Sequence, residues 1–149
     1  MDYPKLNYPP IRLRARRGEG GRTEVFDRVR QRWLVLTPEE WVRRHVVAYL
    51  TAECGYQPEQ IVQEYPININ GMAQRADIVV LTADAKPMLV VECKEPGIRP
   101  SQETLAQVVR YNSILGCRYI AITNGLETFC YQYDGQRYAP IDALPSNRY

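Results

Sequence analysis

The chain has 149 residues, 45% hydrophobic and 24% charged, with a formal net charge of +2 at neutral pH. That is enough apolar material for one globular domain with a core, and it excludes the disordered and fibrous classes. No apolar run approaches the roughly 20 residues of a membrane span, and no apolar h-region of a signal peptide opens the chain. The four cysteines, Cys54, Cys93, Cys117 and Cys130, make no CxxC pair. Neither zinc nor a disulfide framework is expected, and a reducing cytoplasm fits best.

The charge is uneven. Residues 1–32 carry nine basic and four acidic residues, and the remainder ten and thirteen. This segment, rich in Pro, Arg and Gly, reads as a basic N-terminal arm with short elements, either lying against phosphate or solvated at the surface. Its Gly18-Glu19-Gly20-Gly21 cluster lacks the Lys-Ser/Thr of a phosphate-binding loop. Residues 33–149 read as the main domain. Val25–Leu36 suggests two short strands or a loop followed by a strand.

Thr37-Pro38-Glu39-Glu40 opens a helix, with Thr37 as N-cap, Pro38 at the first position and Glu40 as capping-box partner. Val42, Val46, Tyr49 and Leu50 form its inward stripe. Glu39 is left as the freer carboxylate, available to a site or simply favourable at a helix N-terminus. His45, the single histidine, reads as a half-buried helix residue, so Ser-His and Cys-His schemes have little support. Ile61–Ile69 is a strand, and Pro66 argues for a sheet edge.

Arg75–Leu81 and Met88–Lys94 flank a polar turn and form a hairpin. With a four-residue loop, Ala83–Lys86, Thr82 pairs with Pro87 and Asp77 stands opposite Glu92. Directly opposed Cβ atoms lie about 4.5–5.5 Å apart, where like charges repel. Alternation puts Lys94 on the face of Glu92. Two carboxylates and a lysine therefore converge, either as an oxygen site for a hard divalent cation or as an ion-pair cluster at a sheet end.

Pro96–Pro100 breaks the chain. Ser101 caps a helix over Gln102–Leu115, which carries Gln107 and Tyr111 four residues apart, and Gly116 ends it. Tyr119–Thr123 is a buried strand. Phe129–Tyr133 follows, Asp134-Gly135 turns, and the tail from Ala139 reads as loop. The order α-β-β-β-α-β, with a strand-helix-strand step from Glu92 to Ile120, predicts an α/β fold: a mixed central sheet flanked by helices.

This order, with Asp77, Glu92-x-Lys94 and Gln107-x-x-x-Tyr111, resembles the PD-(D/E)XK nucleases. More narrowly, it is similar to the N-terminal nuclease domain of type I restriction enzyme R subunits. The matching stretches are Glu39-x-x-x-Arg43, Gly55-Tyr56, Glu64–Ile67, Arg75–Ile78, Val91–Lys94, Gln107-x-x-x-Tyr111-Asn112 and Thr123–Gly125. The resemblance implies a restriction-endonuclease-like core and a DNA endonuclease dependent on Mg²⁺ or Mn²⁺. It implies Asp77, Glu92 and the Cys93 carbonyl as metal ligands, with Glu39 supporting. Lys94 would be catalytic, Gln107 and Tyr111 would position it, and Arg75, Lys94 and Tyr111 would meet DNA. Restriction-modification subunits are implied as companions, and a homodimer would supply the two sites needed to cut both strands. Ala76 departs from the family's Pro, and no motor motif follows. That departure keeps open a catalytically inactive module of the same fold that binds nucleic acid or protein.

Overall fold

The computed structural model describes residues 3–147. Two sheets carry the chain. The first is antiparallel, β1 (Ala15–Arg17), β2 (Thr23–Asp27) and β3 (Arg32–Val35), in that spatial order. After helix α1 (Pro38–Ala52) comes a six-stranded sheet of β4 (Ile61–Ile69), β5 (Met72–Leu81), β6 (Pro87–Cys93), β7 (Tyr119–Thr123), β8 (Thr128–Tyr133) and β9 (Tyr138–Ile141), also in sequence order. Helix α2 (Gln102–Leu115) links β6 to β7, and that pair is the parallel one; the other neighbours are antiparallel. The expected α-β-β-β-α-β core and mixed sheet are thus present.

The central strands are buried on both faces, which explains their unbroken Val/Ile runs. Ile78, Val80, Leu89 and Val91 pack with Val42, Val46 and Leu50 of α1. Val79, Val90, Ile120 and Ile122 pack with Val108 and Tyr111 of α2. Each such fully buried aliphatic side chain contributes about 1.5–3 kcal/mol as an upper figure. Among the described residues no helix is long and apolar enough to cross a membrane.

Four details depart from the sequence expectation. The hairpin loop is one residue longer: Leu81 pairs with Pro87, a bulge follows, and Val80 then pairs with Leu89. Thr82 does not pair with Pro87, because its N–H bonds the Lys86 carbonyl at 2.7 Å inside a turn that holds Ala85 at φ +62°. Glu40 does not complete a capping box. Thr37 Oγ1 accepts its N–H at 3.1 Å, but the Glu40 carboxylate turns to Arg44 Nε at 3.0 Å. Buried guanidinium outcompetes a backbone N–H that water can reach. The tail from Ala139 is not all loop, since Ala139–Ile141 pair with β8 and Pro140 is tolerated on that edge. Finally, the first of the described residues do not form a free arm. Leu6 is buried, the Asn7 N–H bonds the Gly125 carbonyl at 2.8 Å, and Trp41 Nε1 bonds the Pro4 carbonyl at 2.9 Å. Gly125, at φ +88°, must be glycine here, because a Cβ would fall 2.7 Å from Leu6.

Candidate active site

The hairpin brings the site together. Ile78 pairs with Val91, so Asp77 stands opposite Glu92 although the loop differs from expectation. Asp77 Oδ2 accepts the Cys93 N–H at 2.7 Å. The Cys93 side chain belongs to the core on the α1 side. Its thiol, like those of Cys54 and Cys130 (both pushed up to about 11) and Cys117 (up to about 12), is raised by burial and has no thiolate character near neutrality.

Glu92 is 6% exposed, and its Oε1 has no hydrogen-bond partner. Burial first, then the charge of Asp77, pushes its carboxyl up to about 9, while Lys94 pulls it partly back. Glu39 reaches the same place from the first turn of α1. Burial and then Asp77 raise its carboxyl, and Arg43 and Lys94 oppose that rise. Tyr111 comes from α2, nearly buried, with its hydroxyl accepting Gln107 Nε2 at 2.8 Å. Burial, followed by Glu92, raises the phenol above its ordinary value. Glu39, Asp77, Glu92, Lys94 and Tyr111 thus share one electrostatic neighbourhood, and Gln107 joins through Tyr111. Arg75 is exposed two residues before Asp77 and makes no ion pair among the described residues.

Two residues absent from the expected site join it. Arg43, 8% exposed in its side chain, has Asp77 Oδ1 at 3.7 Å, Glu39 Oε1 at 3.7 Å and Glu64 Oε1 at 3.6 Å. Its Nε and NH1 make no hydrogen bond. Glu64 holds φ +55°, and the β4–β5 ladder skips it: Gln63 pairs with Ile78 and Tyr65 with Ala76, leaving Glu64 beside Asp77. Such a conformation costs about 1–3 kcal/mol and persists when its surroundings hold it. Here they do, because Glu64 Oε2 accepts Arg30 NH1 at 3.0 Å. The Glu39-x-x-x-Arg43 spacing signals an i,i+4 pair. The meeting with Glu64 and Asp77 depends on strand pairing that no local pattern shows.

The donor set fits a divalent cation. Glu92 Oε1 is an orphaned buried oxygen, costly unless something binds it. Among the described residues no three acidic, His or Cys side chains form a cage. A Mg²⁺-type site needs one or two carboxylates with waters or backbone oxygens completing the shell, and Asp77 with Glu92 meets that requirement.

Residues 38–145 match the family model of the type I restriction enzyme R protein N terminus (HSDR_N). Among solved structures, a fragment assigned to an HsdR subunit of a type I restriction enzyme from Vibrio vulnificus is 25% identical with a TM-score of 0.54. That likeness covers 74% of this chain and 24% of that one, so this chain spans about a quarter of its length. A DUF820 protein from Anabaena variabilis, assigned as a nuclease, aligns at 10% identity and a TM-score of 0.49 over 85% of this chain and 80% of its own. No curated protein matches the chain.

Proposed function

The chain belongs to the type I restriction enzyme R protein N-terminus family, and from that membership we propose that this nuclease-like domain hydrolyses DNA phosphodiester bonds with Mg²⁺ or Mn²⁺ as cofactor. The observation that carries the reading is the place of Asp77 and Glu92, next along from the Ile78–Val91 pair and beside Lys94, with one Glu92 oxygen buried without a partner.

Asp77 and Glu92 would hold the cation, with the Cys93 carbonyl completing the set and Glu39 supporting from α1. When bound, the cation neutralises charge on the phosphate and acidifies a coordinated water. The Cys93 N–H fixes one Asp77 oxygen so that the other faces the pocket. Lys94 brings a compact cation toward the phosphate. Gln107 holds the Tyr111 hydroxyl against the wall of the site, and Arg75 and Tyr111 would contact the DNA backbone. Arg43 keeps the carboxylates from facing one another uncompensated when no metal is bound. Other restriction-modification subunits and a second copy of this chain are the proposed partners, the latter because two strands need two sites.

The test is plasmid nicking with Mg²⁺ or Mn²⁺, using wild type, Asp77→Ala and Lys94→Ala, beside Mn²⁺ calorimetry. Wild type should bind metal and nick, and Asp77→Ala should do neither. If wild type and Asp77→Ala bind Mn²⁺ alike, the nuclease reading loses its main support and the non-catalytic module of this fold takes its place. If purified Lys94→Ala nicks as fast as wild type, the cleavage comes from a contaminant or another site and the assigned mechanism falls.

A further inference from the structure

The β1–β3 sheet lies outside the family match, which begins at residue 38. Its inner face is closed: Val25 and Asp27 are fully buried. The outer face is different. Phe26 pairs with Trp33 across β2 and β3, their rings 5.4 Å apart, edge to face. Over these rings lie Arg16 of β1 and Arg14, the residue just before that strand. The Arg14 guanidinium carbon is 5.3 Å from the Phe26 centroid and 5.2 Å from that of Trp33, and that of Arg16 is 4.1 Å from Trp33.

Residues 12–24 hold five arginines (Arg12, Arg14, Arg16, Arg17 and Arg22) against two glutamates. Among the described residues only Arg16 of the five forms an ion pair, with Glu24 at 2.7 Å. Arg12, Arg14, Arg17 and Arg22 thus carry charges that no ion pair among the described residues answers, and Arg16 gives Glu24 only its Nε, keeping its other guanidinium donors. A guanidinium stacked on an aromatic ring keeps its in-plane N–H donors outward and loses less freedom when it grips an anion.

We propose that this outer face of the β1–β3 sheet is a docking surface for the phosphate backbone of duplex DNA, gripping it through Arg14 and Arg16 fixed over Trp33. The inference rests on the nuclease reading of the chain and adds where the substrate is held. Three observations favour a duplex backbone. The charge is complementary. Arg14 and Arg16 stand at alternate positions, about 6.7 Å apart along a strand, a span comparable with two axial rises of about 3.4 Å per charge on one DNA strand. The aromatic faces are already covered by arginine, so they do not offer the bare stacking planes that single-stranded DNA uses. The sheet is also joined to the site: Arg30 and Arg32, at the end of β2–β3, bridge to Glu64 at 3.0 and 3.6 Å, and Glu64 faces Arg43 beside Asp77.

The experiment measures fluorescence anisotropy of a labelled DNA duplex in Ca²⁺ over a series of salt concentrations. It uses the full chain as wild type, Arg14→Gln/Arg16→Gln and Arg14→Lys/Arg16→Lys. Losing two phosphate contacts should lower the slope of log K against log salt by about 1.8, at about 0.9 per phosphate, and weaken low-salt binding at least tenfold. The lysine pair should restore most of the slope, because slope counts charges; a misfolded glutamine variant is exposed by that rescue and by its melting curve. An unchanged slope in a folded glutamine variant, or a tenfold preference of wild type for single-stranded over duplex DNA, overturns the proposal. Mn²⁺ calorimetry on the same proteins separates the two readings. A wild type without a metal site defeats the nuclease reading and leaves the duplex surface standing, whereas intact metal binding with an unchanged slope defeats the surface alone.

Discussion

The Cys93 backbone N–H donates to Asp77 Oδ2 at 2.7 Å, so the strand that carries Glu92 also aims the carboxylate of Asp77 on the neighbouring strand. Asp77 is thereby aimed by main chain, not by a side chain free to move. The proposed mechanism divides the work between Asp77, which would ligate the cation, and Lys94, which would meet the phosphate. Lys94→Ala should lower the nicking rate by about 10²–10³, the range for losing one charge-stabilising donor in a transition state, while Mn²⁺ affinity in calorimetry changes less than about threefold. Asp77→Ala should lose both. Parallel loss of metal affinity in Lys94→Ala would break this division.

Glu92 sets the pH dependence of the metal-free protein. Its folded carboxyl is pushed up to about 9 by burial and by Asp77, against 4.5 in the open chain. A raised folded value means its contribution is fully present below 4.5 and is lost as pH rises through about 9. Metal-free stability should fall across that window. Glu92→Gln should flatten the fall and raise Tm at pH 8, at about 2–4 °C per kcal/mol for a chain of this size. Scanning calorimetry from pH 5 to 9 in chelator checks it, and a parallel pH dependence in the two proteins refutes it.

Asp27 has the opposite sign. It is fully buried, with Arg30 Nε at 2.5 Å, Arg44 NH1 at 2.9 Å and Gln63 Nε2 at 3.0 Å. Burial pushes its carboxyl up, but the Arg30 hydrogen bond and the charges of Arg44 and Arg30 outweigh that and leave it below the usual 3.8. Its stabilisation is present above 3.8 and lost as pH falls through the lower folded value. Asp27→Asn takes from buried Arg44 one of its two counter-charges and from Arg30 its partner, and should cost about 3–5 kcal/mol at neutral pH, read as a urea midpoint shift with unchanged slope. A shift below about 1 kcal/mol would mean that Glu40 alone suffices for Arg44.

Tyr111→Phe tests the α2 wall. The ring remains, packed among Val79, Val90 and Val108, but Gln107 loses its acceptor. One hydrogen bond of this kind is worth about 1 kcal/mol, so thermal stability should barely move. Nicking should fall about tenfold with Mn²⁺ affinity kept. A stability loss as large as the activity loss would assign Tyr111 to the core alone.

The parts of this fold that were legible in the sequence are those set by local chemistry. Thr37 and Ser101 cap their helices, and Gly116 ends α2 at φ +68°. The facing of Asp77 and Glu92 survived a wrong loop because two errors cancel. The loop is one residue longer than expected, and the bulge between Val80 and Leu81 takes up the difference before the site is reached. Glu40 misled because a capping box and a buried ion pair have the same local spacing, and only the fold brings Arg43 and Arg44 into position. Arg43 and Glu64 as neighbours of Asp77, and the aromatic pair under Arg14, are cross-strand facts with no signature along the chain.

The chain of contacts from Asp27 to Arg44 and from Arg30 through Glu64 and Arg43 to Asp77 crosses the point where the family resemblance begins. The segment that is shared in sequence and the segment that closes its own charges are therefore different lengths. A protein cut to start at Pro38 would keep every carboxylate of the pocket. It would also expose the α1 face under Tyr3, Leu6 and Tyr8, and leave Arg44 buried without Asp27. Any transplant of this site onto another scaffold therefore has to carry the β1–β3 segment, with Asp27 and Arg30, along with it.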